Sequence, residues 1–97
     1  MAKLEVEIEN RCVGITEAAG WLNVKLDLAK KSWPDRQFFG PGETSFMVEF
    51  KRPKEKPTVK QAQTHADLRA LGHKVYVIDS VTDFQTLFDG YCRYLLE

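Results

Sequence analysis

The sequence predicts an α/β fold, with a mixed central sheet flanked by helices in the order α-β-β-β-α-β-α. Apolar residues recur every three or four positions near both ends of the chain, which is typical of helices. Four shorter segments alternate in polarity or run apolar, which is typical of strands. A third helical segment joins the last two strands, so we expect that pair to be parallel. With 97 residues, we expect one domain spanning 1–97.

The first half of the chain begins with a predicted helix over 3–19, which Gly20 is expected to end. Residues 21–29 predict a half-buried strand, because apolar and polar residues alternate along it. The expected buried face of this strand consists of Leu22, Val24, Leu26 and Leu28.

Two further strands are predicted over 36–39 and 44–52. The segment between them, Gly40-Pro41-Gly42, is a strong turn signal. These strands are therefore expected to continue from the strand before them as an antiparallel meander.

The second half predicts a helix over 58–71, a short apolar strand over 74–78 and a last helix that begins at Ser80. Thr58 and Gln61 have the spacing of a capping box. The apolar stripe of the last helix exceeds what one sheet face needs, so it is a candidate dimer contact, unless it simply packs on its own sheet. Its members are Phe84, Phe88, Tyr91, Tyr94 and Leu95.

Charge and cysteine content exclude several classes of protein. Fourteen basic and fourteen acidic residues cancel, but residues 51–60 carry five bases and one acid, which indicates either one basic face or an ordinary solvated surface. Cys12 and Cys92 are too few for a disulfide framework, and His65 and His73 lack companions at zinc-ligand spacing.

No apolar run reaches the roughly 18 residues of a membrane span, and no signal peptide is visible. We therefore expect a soluble, cytoplasmic protein.

The most informative residues are Asp35, at the mouth of one predicted strand, and Glu49 and Lys51 on the next. Residues i and i+2 of a strand share a face, so Glu49 and Lys51 point together. The hairpin could bring Asp35 beside them. Two such carboxylates would bind Mg²⁺ well, and a lysine at the same edge suits metal-assisted phosphodiester hydrolysis. The alternative is an exposed strand face with Asp35 as a turn residue.

The order Pro34-Asp35 followed by Glu49-x-Lys51 resembles the PD-(D/E)xK nuclease pattern of restriction-endonuclease-like folds. The wider set resembles the virus-type replication–repair nuclease (VRR-NUC) domain in its stand-alone, phage-like form. It includes the early glutamates of the first helix, Thr58-x-x-Gln61, Gly72 and the apolar strand that follows. Ser32 departs from the family, which usually has glycine in that turn.

The resemblance implies a role for each matching residue. Asp35 and Glu49, with the main-chain carbonyl of Phe50, would ligate Mg²⁺ or Mn²⁺. Glu5 would reach the metal, through water if not directly, with Glu9 as the alternative on the same helix face. Lys51 would orient and acidify the attacking water. Gln61 would point into the site, although the capping box alone also explains it.

A second group of residues would contact the DNA backbone, which gives affinity without sequence choice. These candidates are Lys25, Lys30, Lys31, Arg36, Arg52, Lys54 and Lys56. Lys25 has the alternative of being a solvated strand lysine. Trp33 could stack on a base, but a core position is favoured.

These residues together predict a divalent-metal-dependent DNA endonuclease that selects branched structures such as Holliday junctions. A homodimer would suit that substrate, because two sites related by a twofold axis can cut two strands. The alternatives are a nucleic-acid-binding module that does not cut and a subunit of a repair assembly. Metal binding would separate the first from the other two.

Overall fold

The computed structural model describes residues 2–26 and 32–96. These residues form three helices and four strands in the predicted order, which confirms the α/β fold class. The elements are α1 (Ala2–Ala18), β1 (Leu22–Lys25), β2 (Arg36–Phe39), β3 (Ser45–Phe50), α2 (Val59–Ala70), β4 (Val75–Ile78) and α3 (Val81–Leu96).

The four strands lie in one mixed sheet in chain order. β1, β2 and β3 form an antiparallel meander, in which Arg36 pairs with both Lys25 and Val48. β3 and β4 are parallel, as the helical connection between them predicts. Consequently the end of β3, the end of β4 and the start of β2 meet at one edge of the sheet.

The main core lies between one face of this sheet and the helices α1 and α3. Phe38, Phe46 and Phe50 project from that face and are fully buried. Phe46 stacks on Phe38 and on Tyr91 of α3, with ring centroids 5.4 and 4.7 Å apart. Cys12 of α1 is buried in the same cluster.

The apolar stripe of α3 packs against its own sheet, which was the alternative to a dimer contact. Phe84 and Phe88 are buried in the core, and Leu95 packs against it. The Tyr91 hydroxyl is hydrogen bonded to that of Tyr76 at 2.6 Å. Tyr94, by contrast, is 73% exposed. Phe84 and Phe88 are therefore not available to a second protein.

The opposite face of the sheet is only partly covered. α2 packs over β3 and β4 through Leu68, which meets Met47 and Val75. Leu26 also packs there, but Leu22 and Val24 are 73% and 46% exposed. The prediction that these two are buried is wrong, because the helix joining β3 to β4 does not extend over β1. Leu28 lies outside the described residues.

The helix boundaries follow the local signals in the sequence. Thr58 caps α2: its side chain accepts from the Gln61 N–H at 3.1 Å, while Gln61 Oε1 accepts from the Thr58 N–H at 2.9 Å. This reciprocal pair confirms the predicted capping box. Gly20 and Gly72 follow α1 and α2 with φ of +86° and +95°, a conformation that favours glycine.

Within residues 2–26 and 32–96, no helix has the length and apolar character needed to cross a membrane.

Candidate active site

Asp35 lies at the edge of the sheet where β3 ends. Its N–H donates to the Val48 carbonyl and its carbonyl accepts from the Leu26 N–H, both at 2.9 Å, so its backbone is fixed between β1 and β3. Its carboxylate Oδ2 accepts from the Phe50 N–H at 2.8 Å. The structure thus places Asp35 beside the Glu49-Phe50-Lys51 segment, as the hairpin argument predicts.

Glu49 extends from β3 into a buried position and is only 3% exposed. Its Oε2 accepts from Gln61 Nε2 at 3.4 Å and lies 3.9 Å from Lys51 Nζ. Its Oε1 has no hydrogen-bond partner within the described part of the chain. Burial, followed by the negative charge of Asp35, raises the pKa of Glu49 to about 8. Glu49 is therefore a buried carboxyl group that keeps an unsatisfied oxygen.

The neighbouring carboxylates have raised pKa values for the same reason. Burial raises the pKa of Asp35, and the hydrogen bond from the Phe50 N–H opposes that shift. Burial and the charge of Asp35 also raise the pKa of Glu5 on α1. The charge of Asp35 thus acts on both Glu49 and Glu5, and a cation beside Asp35 would favour the charged forms of these groups.

The side chains of this cluster indicate which kind of cation it could bind. Among residues 2–26 and 32–96, no group of three His, Cys, Asp or Glu side chains is arranged to hold a metal, which a structural zinc site would require. Mg²⁺ is commonly bound through one or two carboxylates and several waters. Asp35 and Glu49 match the second pattern.

Lys51 follows β3 directly and shares the face of Glu49, as predicted from their spacing in the sequence. The Lys51 side chain is buried, and its Nζ lies 3.9 Å from Glu49 Oε2. Its N–H donates to the Ile78 carbonyl at 2.9 Å, which ties this residue to the end of β4. A buried lysine with a carboxylate as its neighbour is held at the site and is not a mobile surface group.

Gln61 takes part in the predicted capping box and also contacts Glu49. Its carbonyl oxygen closes the capping box with Thr58, while its amide nitrogen donates to Glu49. The start of α2 is thereby connected directly to the carboxylate on β3.

Glu9 is paired with two basic side chains of the sheet. It is buried, and its carboxylate lies 3.0 Å from Lys25 Nζ and 2.6 Å from Arg36 Nε. Arg36 also donates to Asn23 Oδ1 at 2.7 Å. Both α1 carboxylates still interact with Asp35, because the charge of Glu9 raises the pKa of Asp35 and the charge of Asp35 raises the pKa of Glu5. The Lys25 side chain remains 47% exposed and that of Arg36 20% exposed.

The basic connector between β3 and α2 runs past the same edge. Arg52 is paired with Glu55 at 3.3 Å, and the Lys54 N–H donates to Asp79 Oδ2 at 2.8 Å. The side chains of Lys54 and Lys56 are exposed. Lys30 and Lys31, two of the predicted DNA contacts, lie outside the described residues.

The turn before Asp35 is fixed by a contact that the sequence did not indicate. The Ser32 hydroxyl accepts from Thr64 Oγ1 of α2 at 2.9 Å, so serine gives this turn an anchor that glycine lacks. Pro34 is buried, but Trp33 is 36% exposed. The favoured core position for Trp33 is therefore wrong, and Trp21 is the tryptophan of the core.

His65 is the site residue that the sequence analysis missed. It lies one helical turn beyond Gln61 on α2 and is buried, with Nε2 3.5 Å from Glu49 Oε1. The i, i+4 spacing from Gln61 was the available signal, because such residues share a helix face. Without the fold, nothing related that face to Glu49.

A cleft of about 870 Å³ lies at the opposite end of the sheet, where β3 and β4 begin. Glu43, Lys74 and Tyr94 are among its lining residues. None of the acidic cluster residues borders it. The chemistry-bearing groups are thus at the sheet edge and not in this cleft.

Comparison with known proteins agrees with this geometry. No family model matches the chain. Over 77 residues it is 39% identical to "Putative nuclease p44" of Acyrthosiphon pisum secondary endosymbiont phage 1, covering 78% of this chain and 83% of that protein. A solved structure described as a VRR_NUC domain superposes with a TM-score of 0.82 and 27% identity, covering 91% of this chain and 97% of the other.

The order of the elements and the four-stranded mixed sheet define a protein of the restriction-endonuclease-like, PD-(D/E)xK class. Within that class, the chain belongs to the VRR-NUC domain family.

Proposed function

We propose that this protein is a divalent-metal-dependent endonuclease that hydrolyses DNA phosphodiester bonds. The observation that carries the proposal is the buried Glu49 carboxyl beside Asp35, with Lys51 Nζ 3.9 Å from Glu49 Oε2. Buried acidic groups with raised pKa values are concentrated at functional sites. The phage relative's name, which describes a nuclease, supports the same reaction.

The residues present fit Mg²⁺ or Mn²⁺. Glu49 Oε1 is buried and lacks a hydrogen-bond partner among the described residues, and Asp35 offers a second hard oxygen donor. The N–H and C=O of a strand residue point to the same side, so the Phe50 carbonyl faces the Asp35 side, where its N–H is bound. Asp35, Glu49 and this carbonyl would hold the metal, with Glu5 reaching it through water.

A bound divalent metal polarises the phosphoryl oxygen and lowers the pKa of a coordinated water. The protein's own groups supply orientation and charge. The Lys51 ammonium orients the attacking water and favours its deprotonated form. Gln61 donates to Glu49 Oε2 and keeps that carboxylate directed into the site.

DNA is held through its phosphates at the same edge of the sheet. Lys54 and Lys56 present exposed ammonium groups on the connector that Asp79 anchors. Lys25 presents the exposed part of its side chain beside Glu9. The full set of proposed phosphate contacts is Lys25, Lys30, Lys31, Arg36, Arg52, Lys54 and Lys56. Such contacts give affinity without sequence specificity.

We further propose that the protein works as a homodimer on branched DNA such as four-way junctions. One site cuts one strand, whereas a twofold pair of sites cuts two. The contact proposed for the second copy is the uncovered half of the sheet, where Leu22, Val24 and Phe39 are 73%, 46% and 40% exposed. β1 is also an edge strand, which can pair with the same strand of a second copy. The phage relative favours the cytoplasm of a host cell as the place of action.

DNA cleavage in Mn²⁺ tests the central proposal. Wild-type protein should nick supercoiled DNA in Mn²⁺ and not with excess chelator. Lys51→Ala should lose nearly all cleavage and keep DNA binding. Lys54→Ala is the matched control: it should keep cleavage at saturating DNA, while its binding weakens and its salt slope falls by about one. Wild-type cleavage that survives the chelator, or Lys51→Ala cleaving like the wild type, would contradict the proposal.

A further inference from the structure

Two buried polar atoms face each other at the site without completing a hydrogen bond. His65 Nε2 and Glu49 Oε1 are 3.5 Å apart, and neither has a hydrogen-bond partner within the described residues. His65 is only 1% exposed. Buried polar groups are nearly always paired in folded proteins, so two unpaired groups in contact require an explanation.

A purely structural histidine does not account for this arrangement. The nitrogens of an imidazole that is buried only for packing have hydrogen-bond partners, because an unsatisfied buried donor costs about 1–3 kcal/mol. An imidazole has at least one N–H to donate in either of its charge states.

α2 presents two donors to the two oxygens of one carboxylate. Gln61 Nε2 is 3.4 Å from Glu49 Oε2, and His65 Nε2, one helical turn further on, is 3.5 Å from Glu49 Oε1. A carboxylate has about four acceptor positions, so two donors still leave positions for a metal. Contacts at 3.4 and 3.5 Å are long and would shorten if the carboxylate became fully charged.

We propose that His65 is a positioning residue for Glu49, which donates Nε2–H to Oε1 and fixes the orientation in which Glu49 binds the metal. This inference rests on the proposed metal-dependent function. It adds to that function a second residue of α2, besides Gln61, that orients the Glu49 carboxylate. Removal of such outer-shell partners typically lowers metal affinity or activity 10–100-fold.

The test compares His65→Leu, His65→Met and His65→Gln with His73→Leu, an exposed histidine at the far end of the sheet. Calorimetric titration with Mn²⁺ in the absence of DNA measures the dissociation constant. Thermal melts of the chelator-treated proteins measure the melting temperature without metal. His65→Leu and His65→Met should bind Mn²⁺ at least about tenfold more weakly, with melting temperatures equal to or above the wild type. His65→Gln, whose amide nitrogen reaches the Nε2 position, should recover most of the affinity. His73→Leu should match the wild type.

Two results would overturn the inference alone. The first is wild-type Mn²⁺ affinity in His65→Leu or His65→Met, and the second is an equal loss in His65→Gln and the two apolar variants. A wild-type protein that binds no Mn²⁺ would instead overturn the proposed function, and the inference with it. The same titration therefore separates the two failures.

Discussion

The carboxyl group of Glu49 should make the metal-free protein less stable as pH rises. Its pKa is about 8 in the folded state against 4.5 as the ordinary value, because burial and Asp35 disfavour the charged form. A raised pKa means that the contribution to stability is full below pH 4.5 and is lost as pH rises through about 8. With about 1.4 kcal/mol per pKa unit, the loss is on the order of a few kcal/mol.

Glu49→Gln keeps the shape of the side chain and removes this titration. In chelator, the variant should melt above the wild type at pH 9 and close to it at pH 5. Thermal melts at the two pH values measure the difference. A gap that is the same at both would show that the charge of Glu49 is not the cause.

Individual residues were predictable from the sequence where their partners were close in the chain or fixed by strand geometry. Glu49 and Lys51 share a face because of the two-residue period of a strand, and the hairpin brought Asp35 to them. Glu9 was not predictable, because it binds Lys25 and Arg36, which are 16 and 27 residues away. Its contacts depend on the packing of α1 against the sheet.

At the scale of elements, the start of α2 connects fold stability to the site. Thr58→Ala should lower stability by about 1 kcal/mol, as loss of an N-cap does. It should also reduce cleavage, because the Gln61 backbone N–H loses its acceptor at the first turn of α2, from which the Gln61 side chain reaches Glu49.

The matched control is Ser80→Ala at the start of α3, where the Ser80 hydroxyl accepts from the Asp83 N–H at 3.1 Å. This variant should lose similar stability and keep its cleavage rate. Denaturation and cleavage assays on both variants make the comparison. Equal cleavage in the two variants would show that the cap does not orient Gln61.

The elements themselves followed from local pattern, but the burial of β1 did not. Alternation identified β1 as a strand and separated its two faces correctly. It could not show which face a helix covers, since α2 is placed by the connection from β3 to β4. Leu22 and Val24 consequently lie on the uncovered part of the sheet, where Leu26 alone reaches the small cluster with Met47.

At the scale of the whole molecule, the uncovered sheet leads to a prediction about assembly. The wild type should sediment as a dimer at micromolar concentration, and Leu22→Asp should shift it toward a monomer, because a charge would be placed in the proposed contact. Tyr94→Asp is the control, with an equally exposed side chain on α3. A monomeric wild type, with or without DNA, would exclude the dimer.

The dimer should also cut four-way junctions faster than linear duplex of the same sequence in Mn²⁺. Two active sites at a fixed spacing can contact two strands of a junction at the same time. A linear duplex presents its two strands in a different arrangement. Gel analysis of both substrates gives the ratio of rates. Faster cleavage of duplex would remove junction selectivity and leave the nuclease function standing.

The most direct measurement of the central claim is the change in melting temperature on adding Mn²⁺ to the wild type, Asp35→Asn and Asp67→Asn. Asp35→Asn keeps an acceptor for the Phe50 N–H and should fold, while Asp67 is an exposed acid on α2. A ligand that binds only the folded state adds about 2.7 kcal/mol at one hundred times its dissociation constant. The wild type and Asp67→Asn should therefore melt about ten degrees or more higher with Mn²⁺, and Asp35→Asn should not change. An equal rise in Asp35→Asn, or no rise in the wild type, would contradict the metal site.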